Sequence, residues 1–317
     1  VLRRVVDALS ERGYAAQVGV EIEFHLLRPD RSHAAEGVQC YSLQRANDLD
    51  PALDRILSGL EAFGVDLEGG NMEYGPGQVE VNLRHLPPIE AADQAFAFKY
   101  AIKQLARREG LLATFMAKPY NGIAGNSMHL HSSLWRDGEA AFAPGEGAIA
   151  PLMGHWIGGA LRHLAGAVLY GAPTVNSYKR FEPDSFAPTT AVWGGDNRTV
   201  SVRALAESAS AARVEMRVGG ADANPYWAIA AYLASGVCGL DERPEIPARG
   251  EGNLYGVGAP LPVTLLDAIA RARADGQLRA VLGEAACDDL ARLCEHEWQA
   301  FVTHVSDWDR DRYLEMV

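Results

Sequence analysis

Val18, Val20, Ile22, Phe24 and Leu26 alternate with polar residues, a period of two that predicts a β-strand over 18–27 with Glu21, Glu23 and His25 on its other face. The signature recurs three times. Val79, Val81 and Leu83 stand opposite Glu80 and Asn82; Met128, Leu130 and Leu134 alternate with His129, His131 and Ser133; Val214, Met216 and Val218 alternate with Arg213, Glu215 and Arg217. Val200 and Val202 mark a further short extended segment. Helical periodicity fills the intervals at 1–13, 48–64, 89–110 and 151–170, with Gly13, Gly64 and Gly110 placed to end the first three. Asn224-Pro225 reads as a helix start, Asn capping and Pro in the first turn, and two more helices are expected beyond it. The segment after residue 64 reads as turns, 244–262 as an irregular connection, and 298–313 as a helix and tail packing between subunits or against the sheet.

One alternating strand with a charged face is ordinary, because sheets commonly turn one face to water. Four such strands in one sheet would crowd Glu21, Glu23, Glu80, His129, His131, Ser133, Arg213, Glu215 and Arg217 onto a single face. Carboxylates that close together do not all ionise cheaply unless a cation sits among them. Oxygen-rich ligation with an imidazole suits Mg²⁺ or Mn²⁺ better than zinc, and so many candidate ligands suggest two or more ions. No P-loop occurs, and no strand is followed by GxGxxG, so a bound nucleotide would have to be held by metal ions and arginines. Arg180, Arg198, Arg203, Arg213 and Arg217 cluster in the sequence, and guanidinium forks match phosphate and carboxylate oxygens.

Composition narrows the class. The 317 residues are 48% hydrophobic, enough for a substantial core and most simply one domain over 1–317. A formal charge of -12 argues against nucleic acid or anionic lipid as a partner. Cys40, Cys238, Cys287 and Cys294 form no CxxC pair, so neither a disulfide framework nor a zinc module is expected, and a reduced, cytoplasmic setting fits. The most apolar stretch, 226–240, is too short to span a bilayer and is expected to be a buried helix. No basic-then-apolar signal segment opens the chain, whose first residue is Val rather than Met.

The segments GVEIEF, NMEYGPGQVEVN, FMAKPYNGIAGNSMHLHSSLW, PTVNSYKRF, DNRTVSVR and RVEMRVGGADANPY resemble, in the same order, the signatures of the glutamine synthetase family. The resemblance spans nearly the whole chain and implies an α+β fold, a curved antiparallel sheet with a polar concave face backed by helices. It also implies a ring-like homo-oligomer and an ATP-dependent ligase acting through γ-glutamyl phosphate. Glu23, Glu73 and Glu80 match ligands of one catalytic metal; Glu21, His129 and Glu215 match those of the other. Glu68, His131, Ser133, Arg198 and Arg203 match ATP contacts, and Arg198 and Arg203 are the expected catalytic arginines. Gly125, Arg180, Arg198 and Arg217 match contacts to the glutamate substrate.

Two departures bear on the nucleophile. Where ammonium-using members of the family carry a glutamate shortly after the YKR arginine, this chain has Phe186, and Ala124 replaces the usual asparagine before Gly125. A phenyl ring accepts no proton and disfavours a small desolvated cation, so an organic amine of the polyamine or ethanolamine kind is expected. Ammonia, with Phe186 merely repacking the site's lip, is the alternative. The family's N-terminal β-grasp domain, which completes a neighbouring subunit's site, has no counterpart here; a metal- and ligand-binding domain with little activity is therefore a further alternative. His25 is expected to be structural, and Trp193 and Phe181 are candidates to line the amine site.

Overall fold

The computed structural model describes residues 1–38, 40–143 and 149–317. Helix α1 (Leu2–Glu11) leads into β1 (Ala15–Leu27); α2 (Leu43–Leu49) and α3 (Ala52–Phe63) precede β2 (Leu67–Met72) and β3 (Gln78–Leu86). Helix α4 (Pro88–Arg108) is followed by β4 (Leu112–Thr114), β5 (Met128–Arg136), β6 (Glu139–Ala140) and α5 (Pro151–Gly171). Four short strands, β7 (Thr190–Ala191), β8 (Trp193–Gly194), β9 (Val202–Leu205) and β10 (Arg213–Met216), lead to α6 (Pro225–Glu242). After β11 (Ala259–Pro260), helices α7 (Leu265–Ala274), α8 (Gly276–Leu282), α9 (Glu284–Thr303) and α10 (Asp307–Tyr313) complete the order.

The main sheet runs β2-β3-β1-β5-β10-β9-β8, with β4 added to β1 and β6 to β5. All four alternating segments are therefore neighbours in one sheet. Every pairing in it is antiparallel except β8 with β9 at one edge, which is parallel, so the expected antiparallel sheet backed by helices is found. Val18, Val20, Ile22, Phe24 and Leu26 are all buried on the core face. There α4 lies over β1 and β3 with Ala91, Ala92, Ala95, Phe98 and Ile102 buried, a helical spacing that matches its inward stripe. Phe24, Phe98 and Phe115 meet at ring-centroid distances of 5.5 to 6.0 Å. Full burial of a phenyl group contributes roughly 2–3 kcal/mol, so this trio is a principal fastening of sheet to helix. A second layer forms where α5 packs on α6. A Cβ on Gly159 would lie 2.4 Å from the Gly239 Cα and the Ser235 carbonyl oxygen, so close approach of the two backbones requires glycine there.

Several expected boundaries shift. The helix over 48–64 is divided into α2 and α3 because Pro51 has no N–H to donate and disfavours helical geometry at Asp50. Part of the segment read as turns is the edge strand β2, whose sequence LEGGNM has no alternation to announce it. Four helices, not two, follow α6. The Asp275 carboxylate accepts the Leu278 N–H at the start of α8, and Gly283 (φ 101°) separates α8 from α9. The final tail does not pack on the sheet: Trp308, Leu314 and Met316 are exposed. Residues 226–240 lie in the buried α6, and among the described residues no helix is long and apolar enough to cross a membrane. All four cysteines are free thiols.

Candidate active site

Strand register assembles the polar face. On β1, Glu21 stands opposite Asn82 of β3 and His129 of β5, and Glu23 stands opposite Glu80. On β10, Glu215 faces His131 of β5 and Arg203 of β9. Residues directly opposite in antiparallel strands share a face, so one alternation phase carried through five strands converges all of them. Two cavities of about 400 and 380 Å³ open on this face, and Glu21 lines both. The first holds Gly19, Glu68, Asn82, His131, Ser133 and Arg213. The second holds Glu23, Glu73, Glu80, His129, Glu215, Gly125, Arg198, Arg203 and Arg217, with Tyr74 and Phe186 also on its lining.

The hydrogen bonds determine one tautomer. Arg213 Nε donates to His131 Nδ1 (3.3 Å), so the His131 proton resides on Nε2, which meets Glu21 Oε1 at 2.8 Å. His129 Nδ1 lies 3.3 Å from Glu21 Oε2 and 3.5 Å from Glu215 Oε1. Burial pushes the Glu21 carboxyl up, but the hydrogen bonds to His129 and His131 outweigh it and hold Glu21 well below the usual range. Glu215, fully buried, is likewise pushed up by desolvation and brought down overall by its basic neighbours, Arg217 first and then His131, His129 and Arg203. Arg217 Nη1 donates to Glu215 Oε1 at 2.5 Å; Arg203 Nε approaches Oε2 at 2.7 Å as an ion pair, without hydrogen-bond alignment.

The other carboxylates behave in the opposite way. Burial, and then repulsion from Glu21, Glu23, Glu73 and Glu215, raises Glu80 to about 9. Burial and Glu73 raise Glu23 to about 7, and burial also raises Glu73. Such a face accommodates a cation. Ligand atoms of Glu21, His131 and Glu215 lie within 4.8 Å of one another, as do those of Glu21, Glu80 and His129. His129 Nε2 and Glu215 Oε2 are buried without a hydrogen-bond partner. The donor set, mostly carboxylate with imidazole, fits a divalent cation of the Mg²⁺ or Mn²⁺ type. These groups cut across the expected division into Glu23, Glu73, Glu80 and Glu21, His129, Glu215. Glu21 belongs to both close groups, His131 joins one, and Glu23 and Glu73 are tethered nearby. Glu73 accepts from Tyr74 N–H and Asn71 Nδ2, each at 3.1 Å.

Glu23 is held from beneath by groups that the sequence reading did not single out. Ser127 N–H donates to its Oε2 at 2.6 Å, and Gln78 Nε2 at 3.2 Å. The same Gln78 amide donates to Gly125 O (2.9 Å) and Asn126 Oδ1 (3.1 Å), and the His25 ring meets that Asn126 oxygen at 2.8 Å. His25 is thus structural, as expected. Gln78 is in phase with Glu80 on β3, so alternation carried two residues further reaches it; Asn126 and Ser127 precede their strand and carry no such signal.

Arg180, the expected glutamate contact, is buried. It is 2% exposed and lies behind the second cavity, where its guanidinium donates to Val218 O (3.2 Å) and Ser127 Oγ (3.1 Å). Gly125 sits between: a Cβ there would meet Ala117 O at 2.5 Å and Arg180 Cγ at 2.6 Å. Trp193 is also off the wall, buried with its Nε1 donating to Pro247 O, and Phe181 packs edge-on against Tyr178. On the rim, Arg198 Nη1 donates to Tyr41 OH at 2.9 Å. Phe186 takes a left-handed backbone conformation (φ 59°) and packs edge-to-face on Tyr74 at 6.1 Å.

Comparison with known proteins agrees with this geometry. The family model described as "Glutamine synthetase, catalytic domain" matches residues 1–313. Gamma-glutamylethanolamide synthetase GlnA4 of Streptomyces coelicolor is 36% identical, the alignment covering 99% of this chain and 70% of the relative. Gamma-glutamylputrescine synthetase PuuA of Escherichia coli is 37% identical over 90% of this chain and 64% of its own length. A glutamine synthetase of Pyrococcus abyssi is 34% identical over 99% and 76%. Among solved structures, one titled "GmaS/ADP complex-Conformation 1" superposes with a TM-score of 0.91 at 31% identity, over 99% of this chain and 76% of that one. With its whole length matched in sequence and fold, the chain belongs to the glutamine synthetase family, an enzymatic family of ligases that use ATP and divalent metal ions.

Proposed function

We propose that the protein joins the γ-carboxylate of glutamate to an organic amine through γ-glutamyl phosphate, splitting ATP to ADP and phosphate. The observation that carries the choice of amine is Phe186. It lines the second cavity, and every described carboxylate on that cavity, Glu21, Glu23, Glu73, Glu80 and Glu215, belongs to the cation-binding set. No described acid on the wall is left over to hold ammonium and take its proton. The two relatives that are named for ethanolamide and putrescine products support the same reading.

In this reading ATP occupies the first cavity against Glu68, His131 and Ser133, with its terminal phosphate reaching past Glu21 toward Arg198 and Arg203. Glutamate lies in the second cavity against Gly125, Arg198 and Arg217, and Arg180 stiffens that wall from behind. Glu21, His129 and Glu215, with Glu23, Glu73 and Glu80, would hold two divalent cations, which when bound neutralise charge between the two anionic reactants. A γ-carboxylate oxygen attacks the γ-phosphorus as the bond to ADP breaks, and Arg203, beside Glu215, stabilises charge on the transferring phosphoryl group. The amine nitrogen then attacks the acyl carbon, phosphate leaves, and the aromatic rim keeps water from competing.

We further propose that residues 1–317 act as one catalytic domain of a cytoplasmic, ring-like homo-oligomer. The exposed Leu293, Trp308, Leu314 and Met316 support packing between subunits. An amine panel followed by phosphate release tests the central claim. An organic amine is expected to give the highest kcat/KM; ammonium as the best nucleophile overturns the assignment, and no glutamate-dependent turnover with any amine overturns the ligase itself.

A further inference from the structure

Phe186 has an exposed partner whose role the family chemistry above does not define. Tyr74 follows Glu73 directly, donates its backbone N–H to that carboxylate, and leans its ring on Phe186 with the planes 65° apart. The two residues are 48% and 50% exposed and both line the second cavity, so neither ring is spent on the core. The loop that carries Phe186 is built to hold this pose. Ser185 Oγ donates to Arg180 O (2.9 Å) and Glu182 O (2.6 Å) and accepts from Ala187 N–H (3.3 Å), while Glu182 is tied to Lys118 at 3.0 Å. A left-handed φ at a bulky aromatic residue is costly, on the order of 1 kcal/mol or more, and persists where its surroundings impose it. Here they aim the ring at Tyr74.

From this geometry we propose that Tyr74, together with Phe186, is the specificity wall for the nucleophile and selects a monoamine with a short apolar chain over a diamine or an amino alcohol. This rests on the organic-amine reading. An edge-to-face pair offers an apolar surface to methylene groups and no carboxylate for a second ammonium. Two neighbouring hydroxyls are already engaged, Ser185 Oγ within its loop and Tyr41 OH by Arg198. The acids on the cavity are those of the cation set, so a distal ammonium would lose hydration without gaining an ion pair.

The test is a nucleophile series, hydroxylamine, methylamine, ethylamine, propylamine and butylamine, with ethanolamine and putrescine, assayed at saturating ATP, glutamate and Mg²⁺ by phosphate release. In the wild type kcat/KM should rise about threefold to fourfold per methylene that reaches the rings, and butylamine should exceed putrescine at least tenfold. Tyr74→Ala should flatten the chain-length slope, lowering butylamine at least tenfold more than hydroxylamine. Tyr74→Phe should restore the slope, because the ring and not the hydroxyl makes the contact. A slope that survives in Tyr74→Ala, an equal loss for every nucleophile in a variant whose melting temperature is unchanged, or putrescine outperforming butylamine would each overturn the assignment of Tyr74. Ammonium as the best wild-type substrate would instead overturn the reading beneath it.

Discussion

Glu80 offers the most direct quantitative test of the carboxylate face. It stands across β1/β3 from Glu23, and burial with four neighbouring carboxylates raises it to about 9, while Glu23 is raised to about 7. Without a cation at pH 7, Glu80 is therefore almost fully protonated and Glu23 about half protonated. Cations that require both as carboxylates must expel about 1.5 protons at that pH, about 1.9 at pH 6 and about 1.0 at pH 8. Integrated over those two pH units, the apparent affinity summed over the bound cations should rise about a thousandfold. Stability follows with a definite sign. Both groups have folded pKa values above their unfolded ones, so their contribution is complete below about pH 4.5 and is lost as pH rises through 7 and then 9. Cation-free protein should thus melt lower at pH 9 than at pH 6, and saturating Mg²⁺ should abolish the difference. Isothermal titration with Mg²⁺ in buffers of different ionisation enthalpy counts the protons directly, and Glu80→Gln should remove about one of them at pH 7. Zero release at pH 7 in the wild type, or unchanged release in Glu80→Gln, would refute the shared-cation account.

Three further outcomes follow from the same geometry. Gln78→Leu leaves Glu23, Gly125 O and Asn126 Oδ1 without their shared donor, and should cost about 2–4 kcal/mol in urea denaturation and weaken cation binding. Gly125→Ala drives a methyl group toward the Ala117 carbonyl and the Arg180 stem; it should cost about 1–3 kcal/mol of stability and raise the glutamate KM at least tenfold, with ADP binding, measured by calorimetry, changed less than twofold. His163 links α5 to Asp275 (2.9 Å) and to Glu242 of α6 (3.2 Å); burial lowers its pKa, but the Asp275 hydrogen bond and the two acids raise it overall. Its contribution is present below about pH 6.5 and lost above the raised value, so His163→Gln should flatten the melting temperature against pH between 6 and 8.

How much of this was legible in the sequence depended on whether a residue sat on a strand. Alternation found Glu21, Glu23, Glu80, His129, His131 and Glu215 because a period of two is a property of the strand alone, and pairing in register then needed only adjacent strands to agree in phase. It did not find Glu73, which lies beyond the end of β2 where the backbone turns, and it missed β2 itself because two glycines interrupt any pattern. Arg180 illustrates the limit from the other side: its position in sequence was recognisable, but its depth was not, since a guanidinium 2% exposed behind Gly125 is set by partners on two distant segments, Val218 O and Ser127 Oγ. The division between α2 and α3 was readable in principle from Pro51, yet the apolar periodicity runs across it and conceals the break.

The same contrast separates the two halves of the proposed chemistry. The floor, where cations, phosphate and glutamate would meet, is supplied by strands whose register places Glu21, Glu23, Glu80 and Glu215 each opposite a histidine, an arginine or another carboxylate, so a one-residue slip would invert it and bury charge in the core. The rim, where Tyr74 and Phe186 meet, is supplied by loops that no ladder constrains, and its shape rests on a serine latch and two left-handed residues, Asp184 and Phe186. Substitution on the floor is therefore expected to destroy turnover with every nucleophile alike. Substitution on the rim should instead change the ranking of nucleophiles while phosphoryl transfer continues. A glutamate-dependent ATPase that outlives amine selectivity in Tyr74→Ala, and vanishes in Glu80→Gln, would place the boundary between reaction and recognition at the edge of the sheet.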